Sequence, residues 1–418
     1  MKNIFRYVYL LMVPVIMGGA LLSSCDDDDD KGGTPQIRYI RNTNPNSADS
    51  LYVGAFLDNL IAIIGDNLGD VREAWFNDRK AELIPTYITN TSILVGVPEE
   101  APLNINNTLK LIFANGFVLE HPFEVMIPAP LIASMKCEFV PDGEEAVING
   151  QYFFDVTPIK VWFTGTEGGK IEVPEGDITV ESGTLVKVIV PEGAGSGPIT
   201  MSTNFGTTES TLHFRDQRNI ILNYDEPGKT PAGSWRTGNF VSDEHSLDGF
   251  YNKFIGTYTT GDRNEGGSPV STYESQFWAE TSGRTEGNLL PGEPIDYVMK
   301  FEAKVVEWYG SYLNIAFAPW NHTGNSELWS NDLNARAIWG PWSQANSLYD
   351  TDGEWVTVVI PMTEFKWAMG MEGGNVVYTP AAFDKNVTGS LSFWVLSAPQ
   401  ADASPFEFYI DNVRIVEK

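Results

Sequence analysis

The chain has 418 residues, with 27 Lys and Arg against 55 Asp and Glu for a formal charge of −28, only two Cys, and 12 Trp, 16 Tyr and 23 Phe. That balance repels a phosphate backbone or an anionic lipid surface, and two Cys exclude a disulfide framework. A hydrophobic fraction of 42% excludes a disordered or collagen-like chain, and the length suits about two to four domains.

A basic start, Met1 to Arg6, leads into an apolar run from Tyr7 to Leu22 and then Ser23-Ser24-Cys25. A short basic start, an apolar stretch and small residues before the cut make residues 1–24 a signal peptide rather than a spanning helix. Leu22-Ser23-Ser24-Cys25 resembles a bacterial lipobox, which implies that Cys25 is lipidated and opens the mature chain. The run Asp26 to Asp30 resembles the acidic signal that exports Bacteroidetes lipoproteins to the outer face of the outer membrane, so residues 25–35 read as an acidic linker. Acylated Cys25 leaves Cys137 as the only thiol. No later apolar stretch approaches the ~18 residues a span needs, so the body is expected to be tethered by its acyl chains.

From residue 36 the sequence reads as short strands between Gly, Pro, Asn and Asp. Leu60 to Ile64, Ser92 to Val97 and Leu109 to Phe113 are strand-length and β-branched, and hardly any segment has helical period, which predicts all-β sandwiches. A pattern then recurs. Ile63-Ile64-Gly65-Asp66-Asn67-Leu68, Trp75-Phe76, Leu94-Val95-Gly96-Val97-Pro98 and Asn115-Gly116 are followed about 85 residues later by Ile148-Asn149-Gly150-Gln151-Tyr152-Phe153, Trp162-Phe163, Val188-Ile189-Val190-Pro191 and Phe205-Gly206. The set resembles the IPT/TIG immunoglobulin-like modules, which predicts one module over 36–128 and another over 129–217. Such modules usually act as spacers, and Trp75 and Trp162, at matching places, read as core or inter-strand packing.

The remaining residues, 218–418, open on Ile220 to Glu226 and close on Phe406 to Ile415, both alternating strands. They resemble the adjacent first and last strands of jelly-roll carbohydrate-binding modules, and a larger jelly-roll-like sandwich is expected, with further strands near 297–307, 312–318, 355–361 and 391–396. Ten of the twelve Trp fall here. Trp355 and Trp394 lie within strand patterns and read as core, while Trp235 and Trp367 are open. Glu307-Trp308-Tyr309-Gly310-Ser311 places two large aromatics in an apparent turn, where they forgo burial unless something packs on them. Trp278 sits similarly at a strand end, Trp320 precedes a polar loop, and Trp329, Trp339 and Trp342 are set among Asn, Ser, Gly and Pro. A pyranose offers an apolar C–H face to such rings and a rim of hydroxyls to neighbouring amides and acids. Stacking of single-stranded nucleic acid would need basic interleaving that is missing.

Lipobox, acidic run, tandem IPT/TIG-like modules and a Trp-rich final sandwich together resemble a type B surface glycan-binding protein of a Bacteroidetes polysaccharide-utilisation locus. The resemblance implies a non-catalytic lipoprotein on the cell exterior that captures a β-glucan, such as xyloglucan, mixed-linkage or β-1,3-glucan. It also implies two partners, a TonB-dependent transporter and a companion glycan-binding lipoprotein. The family's platform takes one Trp from one segment and a Trp-Tyr pair from the next, which matches Trp278 with Trp308 and Tyr309; Trp320 and Trp342 complete the candidate set. Two other readings stand beside it. A glycoside hydrolase or lyase would need two carboxylates about 5–10 Å apart, and Glu274, Glu280, Glu302, Glu307 and Glu327 are available without a recognisable motif. A protein-binding adhesin is the other. No cofactor or bound metal is expected; Asp225 or Asp411 near the domain termini could serve a structural Ca²⁺, though no spacing demands it.

Overall fold

The structure is a computed structural model that describes residues 33–47, 49–154, 156–233, 235–259, 270–278, 282–283, 289–318, 336–366, 389–397 and 403–418. The signal peptide, Cys25 and the acidic run lie outside the described residues. The regular elements are β-strands and three-residue 3-10 turns, so the fold is all-β, and no helix among the described residues is long and apolar enough to cross a membrane. The chain divides at Met126/Ile127 into two compact units.

In the first unit, Gln36–Asn42, Leu60–Asp66 and Ser92–Gly96 form one sheet, and Arg79–Ala81, Val71–Phe76, Thr108–Phe113 and Val118–Pro122 form another. Gly54–Phe56 and Glu124–Met126 add a short parallel pair. Alternation along each strand sends Ile61, Ile63, Ala74, Phe76, Ile93, Val95, Leu109 and Leu111 inward, all essentially without exposure.

The second unit begins with a sandwich of related design. Leu131–Met135, Glu145–Gln151, Leu185–Ile189 and Ile178–Ser182 face Lys170–Glu172, Lys160–Thr164, Gly197–Thr203 and Gly206–Phe214. The recurring glycine of the two modules has one physical cause. A Cβ on Gly65 would lie 2.0 Å from the Gln36 carbonyl oxygen and one on Gly150 would lie 1.8 Å from that of Leu131. Each glycine sits beside a bulge in the first strand of its sheet, and no other residue fits there. The paired aromatics also divide alike: Phe76 and Phe163 enter the cores, while Trp75 and Trp162 lie half-buried on the outer faces. There Lys110 sits 5.3 Å from the Trp75 ring and Lys160 6.0 Å from that of Trp162.

The larger sandwich follows within the same unit. Its first sheet runs Phe240–Val241, Tyr251–Thr259, Ala403–Glu417, Tyr297–Trp308, Val356–Pro361. Ile220–Leu222 pairs with the closing strand, Ile220 opposite Arg414, so first and last strands are adjacent. The second sheet is Glu274–Trp278, Ser390–Ser397, Ser311–Ala318, Arg336–Trp339. Between the sheets lies a core that includes Phe254, Phe277, Phe301, Leu313, Phe393 and Phe408.

A charged seam locks this sandwich to the module before it. Glu138 accepts from Lys300 Nζ at 2.6 Å and from Arg414 Nη2 at 2.6 Å, and Arg414 Nη1 donates to Glu302 at 2.7 Å. The Glu302 and Arg414 side chains are wholly buried, and burial pushes the Glu302 carboxyl up against the pull of Arg414. Tyr251, Trp355 and Tyr409 of the larger sandwich extend the hydrophobic cluster of the module. Removal of one member of such a set leaves an uncompensated buried charge, which typically destabilises by about 3–5 kcal/mol.

Candidate binding face of the larger sandwich

The four-stranded sheet sorts its residues by alternation. Phe277, Leu313, Leu391 and Phe393 face the hydrophobic core, so their neighbours line the opposite face. The register arranges that face in rows. Glu274, Trp394, Asn314 and Ile338 stand side by side; then Gln276, Ser392, Ala316 and Arg336; then Trp278, Ser390 and Ala318. A sheet face that carries a carboxylate, two carboxamides, a guanidinium and hydroxyls is unusual for a surface packed only for stability, because each group needs a partner once buried. Glu274, Gln276, Arg336 and Ser392 are all at most 1% exposed.

The open aromatic surface lies along the outer strand of this sheet. Gln276 N–H donates to the Arg236 carbonyl at 2.9 Å, and Ser282 N–H to the Trp278 carbonyl at 3.0 Å, so the segment around Arg236 runs beside Glu274–Trp278. Trp235 is 49% exposed and is the one Trp among the described residues classed as exposed. Trp278, half-buried, ends the adjacent strand. The Arg236 guanidinium lies 5.2 Å from the Trp235 ring and 5.8 Å from that of Trp394, and it donates to Glu274 Oε2 at 2.7 Å.

The sequence candidates are not brought together. Trp278 is level with Ala318 through Ser390, whereas Ser311 pairs with Ser397 at the other end. Seven residues at about 3.3 Å each put the Trp308–Tyr309 turn roughly 23 Å along the sheet from Trp278. Trp308 also has no exposure. Its ring stacks on Phe408 at 4.2 Å and 14°, and its Nε1–H donates to Ser311 Oγ at 2.9 Å. It cannot offer a face to a sugar and so has no place in a platform.

The reason is a register shift. The strand Tyr297–Trp308 runs one residue beyond the end read from the sequence and slips between Val305 and Glu307. Val306 and Glu307 are consecutively exposed, and the extra residue rotates Trp308 inward where simple alternation from Val305 would turn it out. Trp342 is corrected on the same ground. It is 6% exposed, donates to the Ser311 carbonyl at 2.6 Å, and is wedged against Tyr309 and Tyr312, each with ring centroids 5.0 Å away. Tyr309 is half-buried beside it, its hydroxyl donating to Asn346 Oδ1 at 3.3 Å. Trp320, Trp329 and Trp367 lie outside the described residues. Trp394 is buried as expected, but on the polar face rather than in the core. Trp235 was discoverable from sequence: it stands between Gly233 and Gly238 in a stretch rich in Gly, Pro and Ser, the same argument that was applied to Trp308.

Among the described residues no three His, Cys, Asp or Glu gather as a metal site. Asp411 is buried, and its carboxyl is pushed well up by burial and by the nearby Asp248 charge.

Comparison with known proteins identifies the domain that carries this sheet. Residues 214–417 match the family model described as the surface glycan-binding protein B xyloglucan binding domain, a binding family rather than a catalytic one. The crystal structure of the surface glycan-binding protein PbSGBP-B from Prevotella bryantii is similar over 92% of this chain and 99% of that one, at 25% identity and a TM-score of 0.72. An SGBP-B from a complex xyloglucan utilization locus in Bacteroides uniformis aligns over 92% of this chain and 100% of that one, at 18% identity and a TM-score of 0.49. An IPT/TIG domain-containing protein of Bacteroides ovatus is 29% identical over 167 residues, 38% of this chain; the match spans about a third, 34%, of that relative's length. Residues 214–417 are thus a surface glycan-binding protein B xyloglucan binding domain by their family match, and the chain shares the fold of the Prevotella surface glycan-binding protein.

Proposed function

We propose that the larger sandwich holds a neutral β-glucan at the cell surface by stacking glucosyl rings on Trp235 and Trp278, without catalysis. The observation that carries the reading is an exposed indole beside a half-buried one, on the edge of a sheet whose buried polar side chains support them from beneath. Each indole offers an apolar surface to the C–H face of a pyranose, and the uncharged ligand is indifferent to a charge of −28. The domain match and the Prevotella structure support the same ligand class. Trp320 stays a candidate third contact, while Tyr309 is assigned no part in this stack.

In the same reading the chain is organised as residues 1–24 signal, 25–35 acidic linker, 36–128 and 129–217 as modules that hold the binding domain away from the membrane, and 218–418 as that domain. Lipidation at Cys25 anchors it in the outer membrane facing outward, and the captured chain passes to a TonB-dependent transporter alongside a companion glycan-binding lipoprotein. Affinity electrophoresis against xyloglucan, mixed-linkage glucan, laminarin, xylan and mannan tests the ligand class. Retardation by a β-glucan, abolished in Trp235→Ala with Trp278→Ala, is the expected result; no retardation by any of the five would overturn it.

A further inference from the structure

We infer that Arg236 is a positioning residue for the binding platform: clamped by Glu274, its guanidinium holds the Trp235 indole in the orientation that a sugar ring meets. The inference rests on the platform reading above and adds a device to it. An exposed Trp on a loop rich in Gly would sample several rotamers, and a ligand that selects one of them binds more weakly by the ordering it must impose. Three features remove that freedom. The Arg236 guanidinium lies 5.2 Å from the Trp235 ring and 5.8 Å from that of the buried Trp394. Its planar group suits stacking on indoles as an ammonium does not.

The guanidinium is itself fixed. It donates to Glu274 Oε2 at 2.7 Å, with the two side chains 3% and 0% exposed, and Gln276 Nε2 holds the other oxygen of Glu274. The backbone is fixed as well. Gln276 N–H binds the Arg236 carbonyl and Ser275 Oγ–H the Thr237 carbonyl at 2.9 Å, while Arg236 has a φ of 46°, a left-handed conformation that a non-glycine residue holds only when its surroundings impose it. A buried pair of opposite charges is weak evidence of stabilisation, since its desolvation offsets its attraction. Its presence beneath the one exposed Trp among the described residues, rather than an apolar pair of the same volume, therefore calls for a use. Preorganised stacking supplies one.

The test uses the full mature chain with xyloglucan and mixed-linkage β-glucan as probes, reading affinity by electrophoresis and calorimetry and folding by thermal unfolding. Arg236→Lys keeps the ion pair and loses the planar stack. It is expected to unfold within a few degrees of the parent but to bind roughly threefold to tenfold more weakly, the range set by freeing one side chain. Arg236→Met with Glu274→Met removes the charges together, should restore stability lost by either alone, and should show the same loss of affinity. In a Trp235→Ala background both changes are expected to have no further effect on affinity, because the residue they act through is gone. Parental affinity in Arg236→Lys, or an equal loss with and without Trp235, would overturn the positioning role while leaving the platform standing. Parental affinity in Trp235→Ala would overturn both.

Discussion

The two ends of the four-stranded sheet both carry tryptophans and do opposite things with them. At one end Trp308, Trp339, Trp342, Tyr309 and Tyr312 close on one another, with Trp308 without exposure and Trp342 at 6%. At the other, Trp278 is half-buried and Trp235 is 49% exposed over a charged clamp. The difference teaches that aromatic density does not mark a site. In the proposed platform the polar support, Arg236 and Glu274, is buried while the Trp235 ring is not.

Trp308→Ala attacks the closed end and is the most disruptive change. It should destabilise by about 3–5 kcal/mol, the usual loss for a large buried aromatic, read by denaturant unfolding, while the protein that remains folded keeps its affinity. Reduced affinity at full stability would put the site back at this end. Trp278→Ala should do the reverse, weakening binding roughly thirtyfold, about 2 kcal/mol as for a central contact, with a stability change of about 1 kcal/mol; titration calorimetry against xyloglucan and a melting curve read both. If Trp278→Ala and Tyr309→Ala lowered affinity equally, the contrast between the ends would collapse. Tyr309→Ala is instead expected to keep affinity within about twofold, since it lies roughly 23 Å away along the strands. Trp162→Ala, on the outer face of a module under Lys160, should be the mildest, about 1 kcal/mol in stability and nothing in glycan retention.

Much of this was legible before any coordinates. The strands at 297, 312, 355 and 391 were readable because alternation of apolar and polar residues is a local pattern, and the module repeat was readable because Gly65 and Gly150 answer the same steric demand. The site was only half legible. Trp278, which the proposed platform keeps, was reached from its place at a strand end and from the family resemblance. Trp308 reads as a turn residue because Gly310 and Ser311 follow it, whereas it ends the strand Tyr297–Trp308 and a slip near Val306, which nothing local announces, turns it inward. Trp235 has a turn-rich context legible in the sequence, but the partners of its neighbour Arg236, Glu274 and Trp394, are about 40 and 160 residues away in the chain.

By itself the sequence determined the class of the protein: an acidic chain with strand-length apolar runs, a duplicated module and tryptophans gathered in its last 200 residues. These are properties of composition and short-range period, and they survive any arrangement in space. The tertiary structure decided which tryptophans have a free face. That depends on strand register, which one bulge reverses, and on which distant charges are brought under a loop, as Glu274 is brought under Arg236.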